Sequence, residues 1–382
     1  MILMIGWSVL CLSILYLLFF LYLSTGHFKH KVYKHKQKFE KFSLIVAARN
    51  EAQHIRDLCS CLIEQNYPVD CFEIIIVDDL SEDQTLGILK EIQTICDQDG
   101  RSTVNLKIYS VADFLHDNKY QSLCGKKKAL QIGIDHSQFE FLVYTDADCL
   151  PSKEWLNEIN RHIDDKTDFI AGYSPLIYTK PTYLDWFKSF ERISIFALTS
   201  GSFGQHLAMT CTARNMIYRR AHFDKAGGFS QIGHIKSGDD DLMLLLQRQY
   251  TRKYNFMFTA QSVVPAIEDK DINDHIHQET RRASKLKYYP AYLKIIVISV
   301  AVFYLGLVLL LITSIAGSLS WQFFISSFGI KVIAEFLLIF TWLIRMNMKI
   351  KVILLPVVEI LYIPYFLYFG IKGTFGSYKW KN

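Results

Sequence analysis

Residues 2–23 contain no charged side chain, and as an α-helix a stretch of that length covers the roughly 30 Å hydrocarbon core of a bilayer. A cleaved secretory leader would begin with basic residues, carry a shorter apolar stretch and end in a small-residue cleavage site. None of these is seen, so residues 1–24 read as an uncleaved anchor. Lys29, Lys31, Lys34, Lys36, Lys38 and Lys41 follow at once, interleaved with His27, His30 and His35. A lysine-rich run beside a span is retained on the cytoplasmic side. Residues 25–41 are therefore expected to be a basic juxtamembrane linker, with the N-terminus outside and the following domain in the cytoplasm. The same charges solubilise the linker and favour contact with anionic lipid headgroups.

The apolar share of the chain is 51% and its mean hydropathy is +0.15, and the excess collects at the two ends. Besides the first segment, apolar stretches run over 292–315, 321–344 and 352–371. The second holds Lys331 and Glu335, four apart and so on one helix face, where they can pair inside a bundle. The third holds Pro356, Glu359 and Pro364 and reads as kinked, re-entrant or interfacial. Arg345, Lys349 and Lys351 suit a cytoplasmic loop, whereas Lys372, Lys379 and Lys381 oppose a fourth full crossing. Two to three C-terminal spans are expected within 291–382, leaving 42–290 as a cytoplasmic domain large enough for its own core. The whole reads as an integral protein of the cell (inner) membrane.

Eight scattered cysteines lack paired C-x-x-C spacing and read as reduced structural thiols. The net charge of +5 comes with no basic-aromatic pattern that would call for nucleic acid.

Within 42–290, apolar runs at 42–48, 72–77, 106–109 and 139–145 alternate with helical patterns that reach residue 62 and cover 85–95 and 126–134. Buried strands separated by helices argue for a parallel sheet in an α/β domain. Such sheets bind ligands beyond the carboxyl ends of their strands. At those ends stand Ala47-Ala48-Arg49-Asn50-Glu51, Asp78-Asp79-Leu80-Ser81-Glu82-Asp83 and Thr145-Asp146-Ala147-Asp148. Carboxylates gathered at one sheet edge need a partner, and Mg²⁺ or Mn²⁺ with a diphosphate fits, because hard oxygen ligands suit these ions and they keep phosphate in their shell. Taken singly, Asp78 or Asp146 could equally be a helix N-cap.

A further cluster, Gly238-Asp239-Asp240-Asp241-Leu242, opens an apolar helical stretch. Crowded carboxylates repel, which favours one of them as a proton acceptor. The alternative is helix capping, with Asp241 the residue left to that role alone. Gln278-Glu279-Thr280-Arg281-Arg282 offers a guanidinium fork suited to phosphate oxygens, and could equally be a basic flank of the apolar segments. Of Lys126, Lys127 and Lys128, at least one is expected to be only solvated.

In this order the motifs resemble the family 2 glycosyltransferases, inverting enzymes of the GT-A fold, over about residues 43–285. Ala48-Arg49-Asn50-Glu51 is similar to the first nucleotide-binding loop, with Ala47 in place of its usual proline. Asp78 and Asp79 resemble the pair that holds base and ribose, and Gly125-Lys126 with Ala129-Leu130 resembles the G-K-x-x-A-L element. Asp146 and Asp148 resemble the D-x-D, whose second aspartate is a metal ligand. Residues 209–229 resemble the acceptor-side segment, with Ala213 where glycine is usual. Asp239-Asp240-Asp241-Leu242 resembles E-D-x-D-L, which makes Asp239 the base with Asp240 beside it. Gln278 and Arg281 resemble Q-x-x-R-W, with Arg282 replacing tryptophan.

The resemblance implies an α/β, GT-A (Rossmann-like nucleotide-diphospho-sugar transferase) domain. It implies a metal-dependent hexosyl transfer with inversion from a nucleotide-sugar donor, UDP-linked above others. Ala48, Arg49, Glu51, Asp78, Asp79, Lys126, Asp146, Gln278, Arg281 and Arg282 would bind the donor. Asp148 with Asp146 would hold Mg²⁺ or Mn²⁺, and Asp239 would deprotonate the acceptor. Few spans and the missing tryptophan favour a lipid or lipid-linked acceptor over processive polysaccharide synthesis. A non-catalytic nucleotide-binding membrane protein is the rival from another class, and the presence of every aspartate expected to act weighs against it.

Overall fold

The computed structural model describes residues 2–33, 38–98, 104–268, 272–349 and 355–376; Lys34, His35, Lys36, Lys351, Lys379 and Lys381 lie outside the described residues. In chain order the elements begin with α1 (Ile2–Gly26), β1 (Phe42–Ala48), α2 (Ile55–Ile63), β2 (Phe72–Asp78), α3 (Thr85–Gln98), β3 (Asn105–Ser110) and α4 (Lys126–Asp135). There follow β4 (Phe141–Tyr144), α5 (Trp155–Arg161), β5 (Phe169–Gly172), β6 (Leu176–Ile177), α6 (Tyr183–Gly204), β7 (Met216–Arg219) and α7 (Arg220–Lys225). The chain continues through α8 (Asp241–Gln247), β8 (Tyr254–Met257), β9 (Ala266–Ile267), α9 (Ile272–Ser284), α10 (Ala291–Ile315), α11 (Trp321–Met346) and α12 (Leu355–Phe375). Two compact units result. One comprises residues 30–182 and 206–269, the other 1–29, 183–205 and 270–382.

The first unit is an α/β layer structure on a seven-stranded sheet of order β3-β2-β1-β4-β7-β5-β8. Every residue of β1, β2 and β4 is buried, as expected for strands covered by helices on both faces. Phe42, Leu44, Val46, Ile74, Ile76 and Phe141 meet Leu58 of α2 and Trp155 of α5 in the main core. On the other face Gly133 of α4 lies so close to β1 that a Cβ there would come 2.8 Å from Ile45 Cγ2.

The sequence leads one to expect a parallel sheet, and β1 to β4 are indeed parallel. The full sheet is mixed, because β7 runs antiparallel to both β4 and β5. Strands β2 and β3 step out from one side of β1, and β4 lies on its other side. That reversal opens a crevice at the carboxyl ends of β1 and β4, where sheets of this kind take ligands.

In the second unit, α1, α10 and α11 are long and apolar enough to cross a membrane. The α12 helix, with Pro364 inside it, is not among them. Lys331 of α11 is fully buried and pairs at 2.8 Å with Glu335, as their spacing leads one to expect, and also with Glu359 of α12. Tyr16 of α1 donates to Glu335 Oε1 at 2.5 Å and Tyr304 of α10 at 3.2 Å. One polar cluster thus joins four helices and partners charges that would be costly alone in an apolar bundle.

Candidate active site

The registers Ala48↔Asp78 and Ile45↔Tyr144 bring the loops after β1, β2 and β4 to one edge. The first two loops are stitched together. Asp79 N donates to Ala48 O at 2.7 Å, Asn50 N to Ser81 Oγ at 3.0 Å and Glu82 N to Asn50 Oδ1 at 2.8 Å. Glu51 N and Ala52 N donate to Thr85 Oγ1 and Asp83 Oδ2. Asn50 adopts the left-handed conformation (φ 52°), one that asparagine tolerates better than most residues.

Two buried polar atoms in these stitched loops are left without partners among the described residues. Asp78 is 2% exposed. Its Oδ2 accepts from Ser81 N at 3.3 Å, while its buried Oδ1, like Arg49 Nε, has no hydrogen-bond partner among the described residues. Buried orphan atoms cost stability, and their retention points to a ligand that completes them. Burial raises the Asp79 carboxyl above its ordinary value, opposed by the Arg49 charge.

Beyond β4 the carboxylates meet cations. Gly125, with φ 60°, precedes α4 and lets the chain turn sharply. Lys126 then contacts Asp146 Oδ1 and lies 4.0 Å from Asp239 Oδ2. Burial alone would raise the Asp146 carboxyl, but Lys126 and Arg214 outweigh it and hold that group below the usual carboxylate range. Of the other two lysines, Lys127 is buried and donates to Ile235 O, and Lys128 is half-buried.

Asp240 is the N-cap of α8 and accepts from Asp241 N at 2.7 Å. Asp241, buried, accepts from Leu242 N at 2.8 Å. Capping thus involves Asp240 as well as Asp241, and Asp239 is the member of the trio beside Lys126. Gln278, Arg281 and Arg282 lie on α9 in the other unit, where Arg282 pairs with Glu279 at 2.6 Å.

Two site residues are not singled out by the sequence. Arg214, in the short turn before β7, sends its guanidinium between the strand-end aspartates, with Nε 3.4 Å from Asp146 Oδ2 and Nη2 3.3 Å from Asp148 Oδ2. Glu268 stands behind it at 3.9 Å. The bridge between Cys149 and Ala266, with Ile267 N donating to Asp148 O at 2.9 Å, carries Glu268 there. Four carboxylates (Asp146, Asp148, Asp239, Glu268) face two cations (Lys126, Arg214). The donor set is hard carboxylate oxygen, which suits a divalent cation; among the described residues no ready-made group of three ligands is present.

Residues 43–227 match the family model described as Glycosyl transferase family 2. This domain belongs to glycosyl transferase family 2. Over 125 residues the chain is 31% identical to the poly(ribitol-phosphate) beta-N-acetylglucosaminyltransferase TarS of Staphylococcus aureus, covering 33% of this chain and 19% of that protein. It is 31% identical over 200 residues to the glycosyltransferase AglE of Haloferax volcanii, covering 52% and 58%. The chain thus spans less than two thirds of the length of either relative. Among solved structures it resembles the mannosyltransferase PcManGT of Pyrobaculum calidifontis in complex with GDP-Man and Mn²⁺, with TM-score 0.56 and 16% identity over 94% of this chain and 98% of that one. That likeness is one of fold. The family 2 domain therefore has the GT-A type of α/β fold, with a mixed sheet where a parallel one is expected from its strands.

Proposed function

We propose that this chain is a membrane-anchored inverting glycosyltransferase that moves a sugar from a nucleotide-diphosphate donor, preferably UDP-linked, to a lipid or lipid-linked acceptor at the cytoplasmic membrane face. The observation that carries the reading is the crevice at β1, β2 and β4. There the unpartnered Asp78 Oδ1 and Arg49 Nε lie in the same compact α/β unit as the Asp146, Asp148 and Asp239 carboxylates. Asp78 and Asp79, with the Ala48–Glu51 loop, would take the nucleoside. Lys126 would meet the diphosphate.

The carboxylate oxygens at the strand ends suit Mg²⁺ or Mn²⁺, which Asp148 and Asp146 would hold; when bound, such an ion takes up charge on the diphosphate leaving group. Asp239 would accept the proton of the acceptor hydroxyl as that oxygen attacks the anomeric carbon and the bond to the diphosphate breaks. One displacement of this kind inverts the anomeric centre. Lys126 stands 4.0 Å from Asp239, which places the proposed base beside the diphosphate-binding lysine. The apolar α1, α10 and α11 support the membrane anchor and an acceptor drawn from the lipid phase. The deciding experiment incubates the purified full chain with UDP- and GDP-sugars and membrane lipid extracts, and identifies products by mass spectrometry. A glycosylated lipid supports the reading; soluble products only, or none with any donor, overturn it.

A further inference from the structure

Among the described residues of the family 2 domain, Arg214 is the cation with three carboxylate partners. Its side chain is 7% exposed, and three carboxylates surround it: Asp146 at 3.4 Å, Asp148 at 3.3 Å and Glu268, itself buried, at 3.9 Å. Its fork spans the two oxygens, Asp146 Oδ2 and Asp148 Oδ2, that flank the center of the D-x-D. A planar guanidinium can bridge two carboxylates in this way, and an ammonium cannot reproduce that geometry. Asp146 Oδ1 is meanwhile in contact with Lys126. Without Arg214, the crowded carboxylates would repel one another across a half-buried edge.

From this we infer that Arg214 is a built-in counter-cation that holds Asp146 and Asp148 in position and competes with a divalent ion for them, thereby setting the metal affinity of the site. The inference rests on the proposal that these aspartates hold the metal. Its sign is fixed by electrostatics. A positive charge bridging the ligand oxygens lowers their affinity for a second cation, so loss of that charge must tighten metal binding even if catalysis suffers. Glu268 takes part by giving the guanidinium a carboxylate to retain as it gives up Asp148. Arg214 is in this sense a positioning residue.

The test is Mn²⁺ binding to the purified full chain, read as loss of the free-ion electron paramagnetic resonance signal and independent of turnover. Arg214→Gln should bind Mn²⁺ about tenfold more tightly than the parent, the effect expected on removing a unit charge a few ångströms away in a partly buried site. Arg214→Lys, which keeps the charge, should stay within about threefold of the parent. Asp148→Ala should abolish the site. Unchanged or weaker binding in Arg214→Gln, with Asp148→Ala still abolishing it, would overturn the role of Arg214 and leave the metal reading intact. Parent and Asp148→Ala binding Mn²⁺ equally would overturn the metal reading, and the inference with it. If Arg214→Gln fails to fold by circular dichroism, Arg214→Lys decides. Binding more than about tenfold weaker than the parent would show that the arginine supports the metal ligands and does not compete for them.

Discussion

The Lys126 ammonium contacts Asp146 Oδ1 and lies 4.0 Å from Asp239 Oδ2, so one cation links the loop after β4 to the loop that opens α8. The link explains why a lysine at the first position of α4 is useful despite the cost of burying charge: both carboxylates raise its affinity for a proton. Lys126→Met should lower kcat/KM by about ten- to a hundredfold, the loss typical of a charge-assisted contact. Most of the effect should fall on donor KM, which steady-state kinetics against donor concentration would read.

Asp239 and Asp240 are adjacent and have different duties. Asp240 caps α8, while Asp239 faces Lys126. Asp239→Asn should lower turnover by at least about a hundredfold, the usual reach of general base catalysis, with donor affinity nearly unchanged. Asp240→Ala should instead cost about 1 kcal/mol of stability, as cap removal does, and Asp240→Asn should cost little of either. A severe loss of turnover in Asp240→Asn would move the base by one residue.

Asp148→Ala should abolish transfer while leaving the far-ultraviolet circular dichroism spectrum intact, since the side chain lies in a loop beyond β4 and outside every helix and strand. A chelator in excess should do the same to the parent, and added Mn²⁺ should restore the parent alone. Full activity in excess chelator would exclude the metal from the reaction.

The strands that carry the site were legible because β1, β2 and β4 are nearly continuous apolar runs, broken only by Ser43 and Glu73 near their starts, and the polar residues that end each run mark the sheet edge. The β7 strand was not legible, since Met216–Arg219 is only four residues long and ends in a charge, and nothing local says which way such a segment enters a sheet. Arg214 and Glu268 escaped for a related reason. They reach the aspartates only through the β7 turn and the long-range bridge between Cys149 and Ala266, and local spacing contains neither. The Lys331–Glu335 pair was legible from helical periodicity, while Glu359 and the two tyrosines joined it through packing alone.

Burial, and then the Glu279 charge, push the Glu191 carboxyl on α6 up to about 8, against Arg282 and Arg192, with Tyr365 donating to it at 3.4 Å. In an unfolded chain a glutamate titrates near about 4.3. The folded chain therefore binds this proton more tightly. Its contribution to stability is complete below about 4.3 and is lost as pH rises through the folded value. Thermal unfolding in detergent should show the parent losing stability across that window. Glu191→Gln, which mimics the protonated form, should give a flatter profile and exceed the parent above about pH 8. Parallel profiles for the two proteins would refute the assignment.

Topology tests the functional proposal at its root. Nucleotide sugars are cytoplasmic, so the family 2 domain must face the cytoplasm for the proposed chemistry to occur. The lysines that follow α1 ask for the same orientation on independent grounds. With α10 and α11 both crossing, the uncharged turn between them would then lie outside. Lys166 and Ser318 are both exposed on the chain, so a cysteine at either is open to a water-soluble maleimide that cannot cross membranes. In intact cells, and against the parent's own cysteines as background, Ser318→Cys should label and Lys166→Cys should label only after permeabilisation. Labelling of Lys166→Cys from outside would remove donor and orientation together, and the cytoplasmic glycosyltransferase with them.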